Sequence, residues 1–521
     1  MTQMAVDTRE NSKRIAKNTL LLYFRMILLM LVTLYTSRVV LNALGVVDYG
    51  IYNVVGGFVA LFSLLSGSLS SAISRFITFE LGKGDPKRLN EVFSASVTIQ
   101  LVLSLLIILL IETVGVWFLN THMTIPPERL EAANHVLQLS IISFVVGLIG
   151  VPYNACIIAH ERMSAFAYIS ILYAVGKLVV AFLIIHNPFD RLVFYAMMLV
   201  AISVLMQLVY VIYCKYHFQE CTYHFRWDKR LLCDMFGFAG WNFIGSSSAI
   251  LRDQGGNVVI NLFFGPAVNA AKGIATQVNK AVMSFVVNFM MALNPQITKN
   301  YASGNHEYMM LLIFQGARLS FYMLLAISLP IFLSTHYILL LWLRIVPEHT
   351  VAFVQLSLLF AMSESVSRPL IAAMLATGKI RDMQLVVGGL QMLNLPLSWL
   401  LLRLGCVPEA VLIVAIVMSQ LCLAARIYML RGLIHLRARK FLREVYANVL
   451  TVAVVSAVVP LAVKQLCSET LLSCLALTIL SLACTALTIY YVGCNKQERA
   501  LALRQVQKIK NKWMNITNLK A

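Results

Sequence analysis

Charge is scarce in this sequence, and negative charge is scarcest. Asp, Glu, Lys and Arg make up 12% of the 521 residues, against ~25% in an ordinary soluble domain. Only 23 residues are acidic against 42 basic, for a net charge of +19. The chain is 60% hydrophobic, with a mean hydropathy of +0.79. It therefore lacks the polar surface of a soluble globule. Several chemical signatures are missing too. There is no G-x-x-x-x-G-K-[ST] loop, so the chain carries no ATP motor, and neither H-E-x-x-H nor G-x-S-x-G occurs. The ten cysteines include no C-x-x-C pair, which argues against a disulfide framework or a zinc site. His306 and Glu307 read as solvated loop charges. The sequon Asn515-Ile516-Thr517 falls in a basic tail expected to be cytoplasmic, where it has no meaning. No metal and no cofactor is expected.

The chain is instead rich in long apolar runs. Spans are expected at roughly 18–42, 47–81, 92–113, 132–157, 165–186, 191–214, 231–263, 267–297, 309–333, 349–375, 382–402, 410–429, 444–463 and 470–492. Such lengths suit helices crossing a ~30 Å hydrocarbon core. Only helices and closed barrels satisfy their backbone in lipid, and continuous runs exclude the alternating pattern of a barrel. The expected fold class is an all-α polytopic membrane protein with about fourteen transmembrane helices. Residues 1–17 are polar and basic and no Ala-x-Ala site follows, so the first run reads as an uncleaved span. An even number of spans puts both termini on one side. Of the 42 Lys and Arg, 27 fall in the loops and tails of that side, 5 in the opposite loops and 10 within spans. By the positive-inside rule both termini are cytoplasmic. That distribution accounts for the net charge without nucleic acid, and anionic membrane lipids are the expected contacts of the basic segments.

An internal repeat orders these runs. Residues 39–85 and 259–305 coincide at Val39/Val259, Gly45/Gly265, Ala72/Ala292, Ile77/Ile297, Thr78/Thr298 and Gly84/Gly304. In both copies a glycine-marked turn opens a long apolar segment, which ends in Ile-Thr and a polar loop closed by Gly84-Asp85 or Gly304-Asn305. Six spans separate the copies, so the halves are parallel, one of the repeat arrangements of secondary transporters. The expected organisation is a cytoplasmic N-terminus (1–17), a six-helix bundle (18–214), a linker (215–230), a second bundle (231–429), a basic connector (430–443), two further helices (444–492) and a basic tail (493–521). In the connector, Leu433, Leu436, Phe441 and Leu442 stand among Arg437, Arg439 and Lys440. It reads as an interfacial elbow on anionic headgroups or as a partner-binding segment. External loops are short, which argues against an enzyme working outside the membrane.

An ionisable side chain inside a span costs a few kcal/mol unless it faces a cavity or a partner. The bases in spans are Arg25, Arg38, Arg75, Lys177, Arg252, Lys272, Lys280, Arg318, Arg368 and Arg426, and the clear acids are Glu112, Asp253 and Glu364. Arg38, Arg75, Arg318 and Arg426 lie near span ends and read as snorkelling side chains. Arg25, Lys177, Arg252 and Lys280 are deeper; Arg25, Arg252 and Lys280 lie on or beside the repeated elements, with Lys272 in the same stretch. They either line a cationic cavity suited to a phosphate-bearing substrate or pair with acids, Arg252 with Asp253 and Lys177 with Glu112. Glu364 and Arg368 stand four apart in the order of an intrahelical ion pair; the alternative is a carboxylate that exchanges partners. Asp253 would bind a coupling cation or proton, or neutralise Arg252. Candidate substrate contacts are thus Arg25, Arg252, Lys272 and Lys280, and candidate coupling or gating groups are Asp253, Glu364 and Arg368. Gly56-Gly57, Pro152, Gly255-Gly256, Pro295 and Pro369 are expected bends.

The run Arg38-Val39-Val40-Leu41-Asn42-Ala43-Leu44-Gly45-Val46-Val47-Asp48-Tyr49-Gly50-Ile51-Tyr52 resembles the turn between the first two spans of bacterial polysaccharide flippases. These are the Wzx-type members of the multidrug/oligosaccharidyl-lipid/polysaccharide (MOP) exporter superfamily. Arg252-Asp253 before Gly265 resembles the matching place in their second half. The resemblance implies a MATE/MOP-like pair of six-helix bundles plus two C-terminal helices, around a cationic cavity. It implies an oligosaccharide on polyprenyl pyrophosphate as substrate, turned from the cytoplasmic to the outer leaflet of a bacterial inner membrane by alternating access, for surface polysaccharide such as O-antigen. Glycan polymerase or chain-length machinery would be its partners. Two relatives compete with this reading. An ion-coupled multidrug extruder should have acids in its cavity, whereas a peptidoglycan lipid precursor flippase would share the bases.

Reporter fusions test the topology. Green fluorescent protein joined after Ala521 should fluoresce, and alkaline phosphatase joined after Arg403 should be active. The reverse pattern would invalidate the assigned sides.

Overall fold

The computed structural model describes residues 2–60, 62–122, 125–185, 190–225, 228–343, 346–466, 470–495 and 498–499. It is 91% helix, with no strand among the described residues. The helices are α1 (Thr2–Ala60), α2 (Ser63–Lys83), α3 (Pro86–Leu110), α4 (Val116–His122), α5 (Leu130–Ala159), α6 (Met163–Ile185), α7 (Arg191–His217) and α8 (Lys229–Ala302). There follow α9 (His306–Leu333), α10 (Thr335–Leu343), α11 (Thr350–Thr377), α12 (Arg381–Arg403), α13 (Ala410–Ile434), α14 (Ala438–Phe441), α15 (Asn448–Leu466) and α16 (Leu471–Thr488).

Twelve segments among the described residues are long and apolar enough to cross a membrane. The expected spans 47–81 and 231–263 are helical but fall outside the twelve. The first is divided between α1 and α2, and α2 carries Ser66, Ser68, Ser70, Ser71 and Ser74. The second, within α8, carries Asp234, Arg252 and Asp253. Polar content separates twelve from fourteen, and no helix is missing.

The chain divides into two compact units. Unit 1 comprises Met1–Leu251, Asn288–Leu312 and Ile371–Met392; unit 2 comprises Arg252–Val287, Ile313–Leu370 and Leu393–Ala521. In unit 1, α1 packs on α6 and α5 on α7, around a core that includes Val40, Ile107, Leu137 and Ile184. The division does not follow the sequence halves, because stretches of α8, α9, α11 and α12 belong to unit 1.

The repeat is visible in the geometry. At its opening, α1 breaks at Gly45 with φ 79°, a left-handed conformation that glycine adopts without a Cβ clash. The matching turn expected at Gly265 does not form; α8 continues as helix across it. The closing loops agree better. Gly84 ends α2 with φ 77°, and Asp85 accepts from the amides of Lys87 and Arg88 at 3.0 and 3.1 Å to open α3. Gly304 has φ 74°, and Asn305 accepts from the Tyr308 amide at 3.3 Å to open α9. A left-handed glycine stops one helix and a short polar side chain starts the next. Further along, Ser143 and Ser203 join α5 to α7 at 2.8 Å, and Ser363 and Ser419 join α11 to α13 at 2.7 Å. Ser143 and Ser363 keep the same offset as the loop glycines.

The ends of the two copies meet within unit 1. A Cβ placed on Gly82 would lie 2.9 Å from Lys299 Cα, Lys299 O and Ala302 Cβ. Ala302 is the repeat counterpart of Gly82, so each copy packs against its own equivalent. Elsewhere the loops are tied inside each unit. In unit 1, Arg129 donates to Asp48 at 2.8 Å and to Asp190 at 2.5 Å. Burial opposes ionisation of Asp190, but Arg129 and the amides of Val193 and Leu192 outweigh it and hold the carboxyl below its usual range. In unit 2, Arg318 and Tyr322 of α9 both donate to Gly493 O at 3.2 Å, and Arg318 pairs with Glu498 at 2.6 Å. Arg318 is buried and anchors the end of the last helix, where a snorkelling side chain was expected.

The two glycines of α2 give a direct test. Gly82→Val should markedly lower the melting temperature in detergent, because its methyls meet Lys299 backbone. Gly67→Ala, with nothing within 4 Å of the added Cβ, should be neutral or slightly stabilising. Equal effects would rule out close packing at Gly82.

Candidate functional site

Unit 2 gathers a knot of charge from three helices. Arg252, Asp253 and Lys272 come from α8, Glu364 and Arg368 from α11, and Arg426 from α13. Arg252 Nε donates to Asp253 Oδ1 at 2.9 Å, and its guanidinium lies 5.0 Å from the Phe360 ring centre. Glu364 has Arg426, Arg252 and Arg368 as charged neighbours, and Lys272 has Asp253 and Arg252. The knot therefore holds four bases and two acids.

The local sequence explains how these groups fit. Gly255 and Gly256 do not interrupt the helix, which continues through them. They give clearance: a Cβ on Gly255 would lie 2.2 Å from Leu395, and one on Gly256 would lie 2.5 Å from Lys272 Nζ. Pro152 and Pro369 likewise sit inside continuous α5 and α11. Glu364 and Arg368 form no ion pair among the described residues, contrary to their spacing. Ser419 of α13 donates to Glu364 Oε1 at 3.0 Å and turns the carboxylate across to the neighbouring helix. That serine closes a chain of hydrogen bonds. Tyr446 donates to Gln420 at 2.8 Å, Gln420 to Ser363 at 2.5 Å, and Ser363 meets Ser419. The chain fixes which way Glu364 points.

The bases are less completely satisfied than the acid. Arg426 Nε and Nη1 and Arg368 Nε make no hydrogen bond to protein atoms, although these atoms are buried. An unmet buried donor costs about 1–3 kcal/mol, and an anionic oxygen is the acceptor that would meet several at once.

The remaining candidates are placed elsewhere. Arg25 belongs to unit 1, its guanidinium 4.3 Å from the Phe166 ring centre and its Nε without a hydrogen bond. Lys280 is exposed on α8 and joins no ion pair among the described residues. The expected Lys177–Glu112 pair does not form: Lys177 sits over Tyr173 at 4.4 Å, and Glu112 accepts from Gln138 at 3.0 Å. The Arg38 side chain lies outside the described residues.

Besides Arg318, two arginines assigned to snorkelling are held by protein groups instead: Arg426 is buried and Arg75 half-buried. Arg426 is 3% exposed; its spacing from Ser419 and Cys422 places all three on one face of α13, a signal present in the sequence. Arg75 is enclosed by the rings of Phe76, Phe79 and Phe238, and its Nη2 donates to Ala376 O at 3.2 Å. An open cavity of about 1090 Å³ in unit 1 is lined by Arg14, Lys17, Lys87, Arg162 and Glu161 among others, and a smaller one of about 620 Å³ by Arg75, Trp241 and Arg381 among others. None of the seven candidate residues lines either cavity.

Residues 22–183 match the MatE family profile. No curated protein matches the sequence itself. Solved structures share the fold. A MATE protein in complex with MaD3S has a TM-score of 0.69 at 14% identity, over 81% of this chain and 97% of its own. The outward-facing form of a multidrug resistance MATE family transporter of the MOP superfamily has 0.68 at 15%, over 82% and 97%. A MOP superfamily transporter from Pyrococcus furiosus, described as having a binding pocket of reverse polarity suggesting a different function, has 0.68 at 14%, over 83% and 96%. The chain has the MATE-like fold.

The knot's dependence on its acid is measurable. Glu364→Ala leaves three arginines without that counter-charge and should cost roughly 3–5 kcal/mol, the usual penalty for breaking a buried charged network. Lys280→Ala should leave the melting temperature in detergent unchanged. Equal melting temperatures for the two variants would mean the arginines do not need Glu364.

Proposed function

We propose that this chain is a membrane transporter, not an enzyme, and that it translocates an oligosaccharide carried on polyprenyl pyrophosphate. The substrate moves from the cytoplasmic to the outer leaflet of a bacterial inner membrane, with both termini of the protein cytoplasmic. One observation carries the reading: half-buried Arg368 and buried Arg426 hold unmet N–H donors in a knot where bases outnumber acids. Pyrophosphate supplies a multiply charged anion whose phosphoryl oxygens accept in pairs from the planar fork of a guanidinium. Arg252, Lys272, Arg368 and Arg426 attract it, while Glu364 and Asp253 keep the empty state from carrying four uncompensated charges. Binding in one leaflet and release in the other requires the protein to expose the knot alternately. Glycan polymerase or chain-length machinery is then the natural recipient of the product.

A second reading is favoured by the fold, since the multidrug resistance MATE transporter is among its structural matches. Extrusion of cationic drugs suits that fold but not a knot in which four bases outnumber two acids. The Pyrococcus furiosus protein, with its pocket of reverse polarity, is a MOP transporter for which charge has likewise suggested a departure in function.

Gene deletion in the native bacterium separates the readings. Lipid-linked glycan should accumulate on the inner leaflet, and wild type should restore surface polysaccharide while Arg426→Ala should fail to do so at equal protein level. Accumulation of the peptidoglycan precursor would instead assign the other lipid pyrophosphate. Normal glycan with raised sensitivity to cationic drugs would replace the flippase by the extruder.

A further inference from the structure

Glu161 is an unusual residue in an unusual place. It follows α5 with φ 58°, in the left-handed region that side chains other than glycine avoid. The corresponding turn after α11 uses glycine, Gly378 with φ 76°. A glutamate held in that conformation points to a side chain that is needed there. Its carboxylate is nearly sealed, at 1% exposure. Three donors from two parts of the chain converge on it. Arg14 Nε, from α1, lies 2.9 Å from one oxygen; Gln296 Nε2, from α8, lies 2.6 Å from the same oxygen; Lys299 Nζ, also from α8, lies 2.9 Å from the other. Asn18 Nδ2 adds a longer bond to the Glu161 carbonyl at 3.4 Å.

Glu161 and Arg14 belong to the first half of the sequence, and Gln296 and Lys299 to the second, yet all four lie in unit 1. Two further contacts join the halves in the same unit. Gly82 packs on the backbone of Lys299. Arg75 reaches across to Ala376 O, and its Nη2 fills the space beside Gly378, where a Cβ would lie 2.5 Å away. The segments involved are the α2–α3 loop end, the α5–α6 loop, the end of α8 and the α11–α12 loop. These are the ends that the distribution of Lys and Arg assigns to the cytoplasm.

We propose that Glu161 is the latch of a cytoplasmic gate. Its carboxylate joins the two sequence halves on that side, and opening toward the cytoplasm requires it to release Gln296 and Lys299. The inference rests on the transporter reading and adds to it the residue that holds one of its two doors. Glu161 is suited to the task because one carboxylate satisfies donors from both halves, and losing it strands two cations at once. Arg14 is half exposed and borders the open cavity of about 1090 Å³, so water can replace its bond when the latch parts. The Arg75 box and the Gly82 crossing close the same side by packing and leave the charged latch as the reversible element.

The test reads access, not cargo, so it stands whatever the substrate proves to be. Asn288→Cys places a thiol on α8, deeper than Gln296, at a position 8% exposed. In inside-out vesicles, a membrane-impermeant maleimide is applied to the full-length protein and labelling of that peptide is followed by mass spectrometry. The thiol should react slowly in the otherwise wild-type protein and at least several-fold faster with Glu161→Gln or Glu161→Ala. The reversed pair Glu161→Lys with Lys299→Glu should restore protection. Should the Glu161 variants fail to reach the membrane, Gln296→Leu with Lys299→Met removes the second-half donors and should raise labelling equally. Unchanged labelling in the Glu161 variants, or in that double variant when it is the one recovered, would overturn the latch. A failed flippase assay with accelerated labelling would discard the substrate and keep the gate.

Discussion

Lipid offers no hydrogen bond and little screening, so every charge placed at membrane depth must find its answer within the protein. That constraint accounts for most of the side-chain architecture here. Arg318 reaches the carbonyl of Gly493 and the carboxylate of Glu498. Arg75 is wrapped by three phenylalanine rings and capped by a carbonyl. Glu364 is surrounded by arginines and fixed by Ser419. Unmet buried donors remain on Arg25, Arg75, Arg368 and Arg426, and of these Arg368 and Arg426 lie together beside Glu364.

Much of the fold was legible in the amino-acid sequence because it follows from one-dimensional quantities. Apolar length locates the helices, and the Gly84-Asp85 and Gly304-Asn305 loops announce where one helix stops and the next starts. Those signals are local and rest on backbone stereochemistry and capping. The Gly265 turn failed for the same reason: an isolated glycine permits a break but does not demand one, and helical hydrogen bonds continued across it.

The site was legible only in part. Arg252, Asp253, Lys272, Glu364 and Arg368 do come together, but Arg25 and Lys280 do not join them. Linear distance from a span end misjudged Arg318 and Arg426, because a helix end buried against protein offers no water to snorkel toward. Spacing also misjudged Glu364 and Arg368: four residues bring two side chains within reach, yet a serine on another helix competed for the carboxylate. Rotation of a uniformly apolar helix cannot be read from hydropathy, and rotation decides which side chains meet. The Glu161 latch was further out of reach, since its donors are 135 and 138 residues away in the chain.

The internal repeat shows how a symmetric scaffold acquires an asymmetric chemistry. The serine bridge between α5 and α7 recurs between α11 and α13, so the two halves share the same local helix pairing. The neighbours of the bridge differ. Where the second half has Glu364 and Arg368, the repeat offset places Phe144 and Leu148, which lie in or against the apolar core of unit 1. Replacing apolar side chains by ionised ones at depth is tolerated only if counter-charges and hydrogen bonds arrive with them. The second half supplies both, through Arg252, Arg426 and the chain from Tyr446 to Ser419. Polar elaboration is therefore concentrated where it supports a charged site, while the first half keeps hydrocarbon packing at the equivalent place.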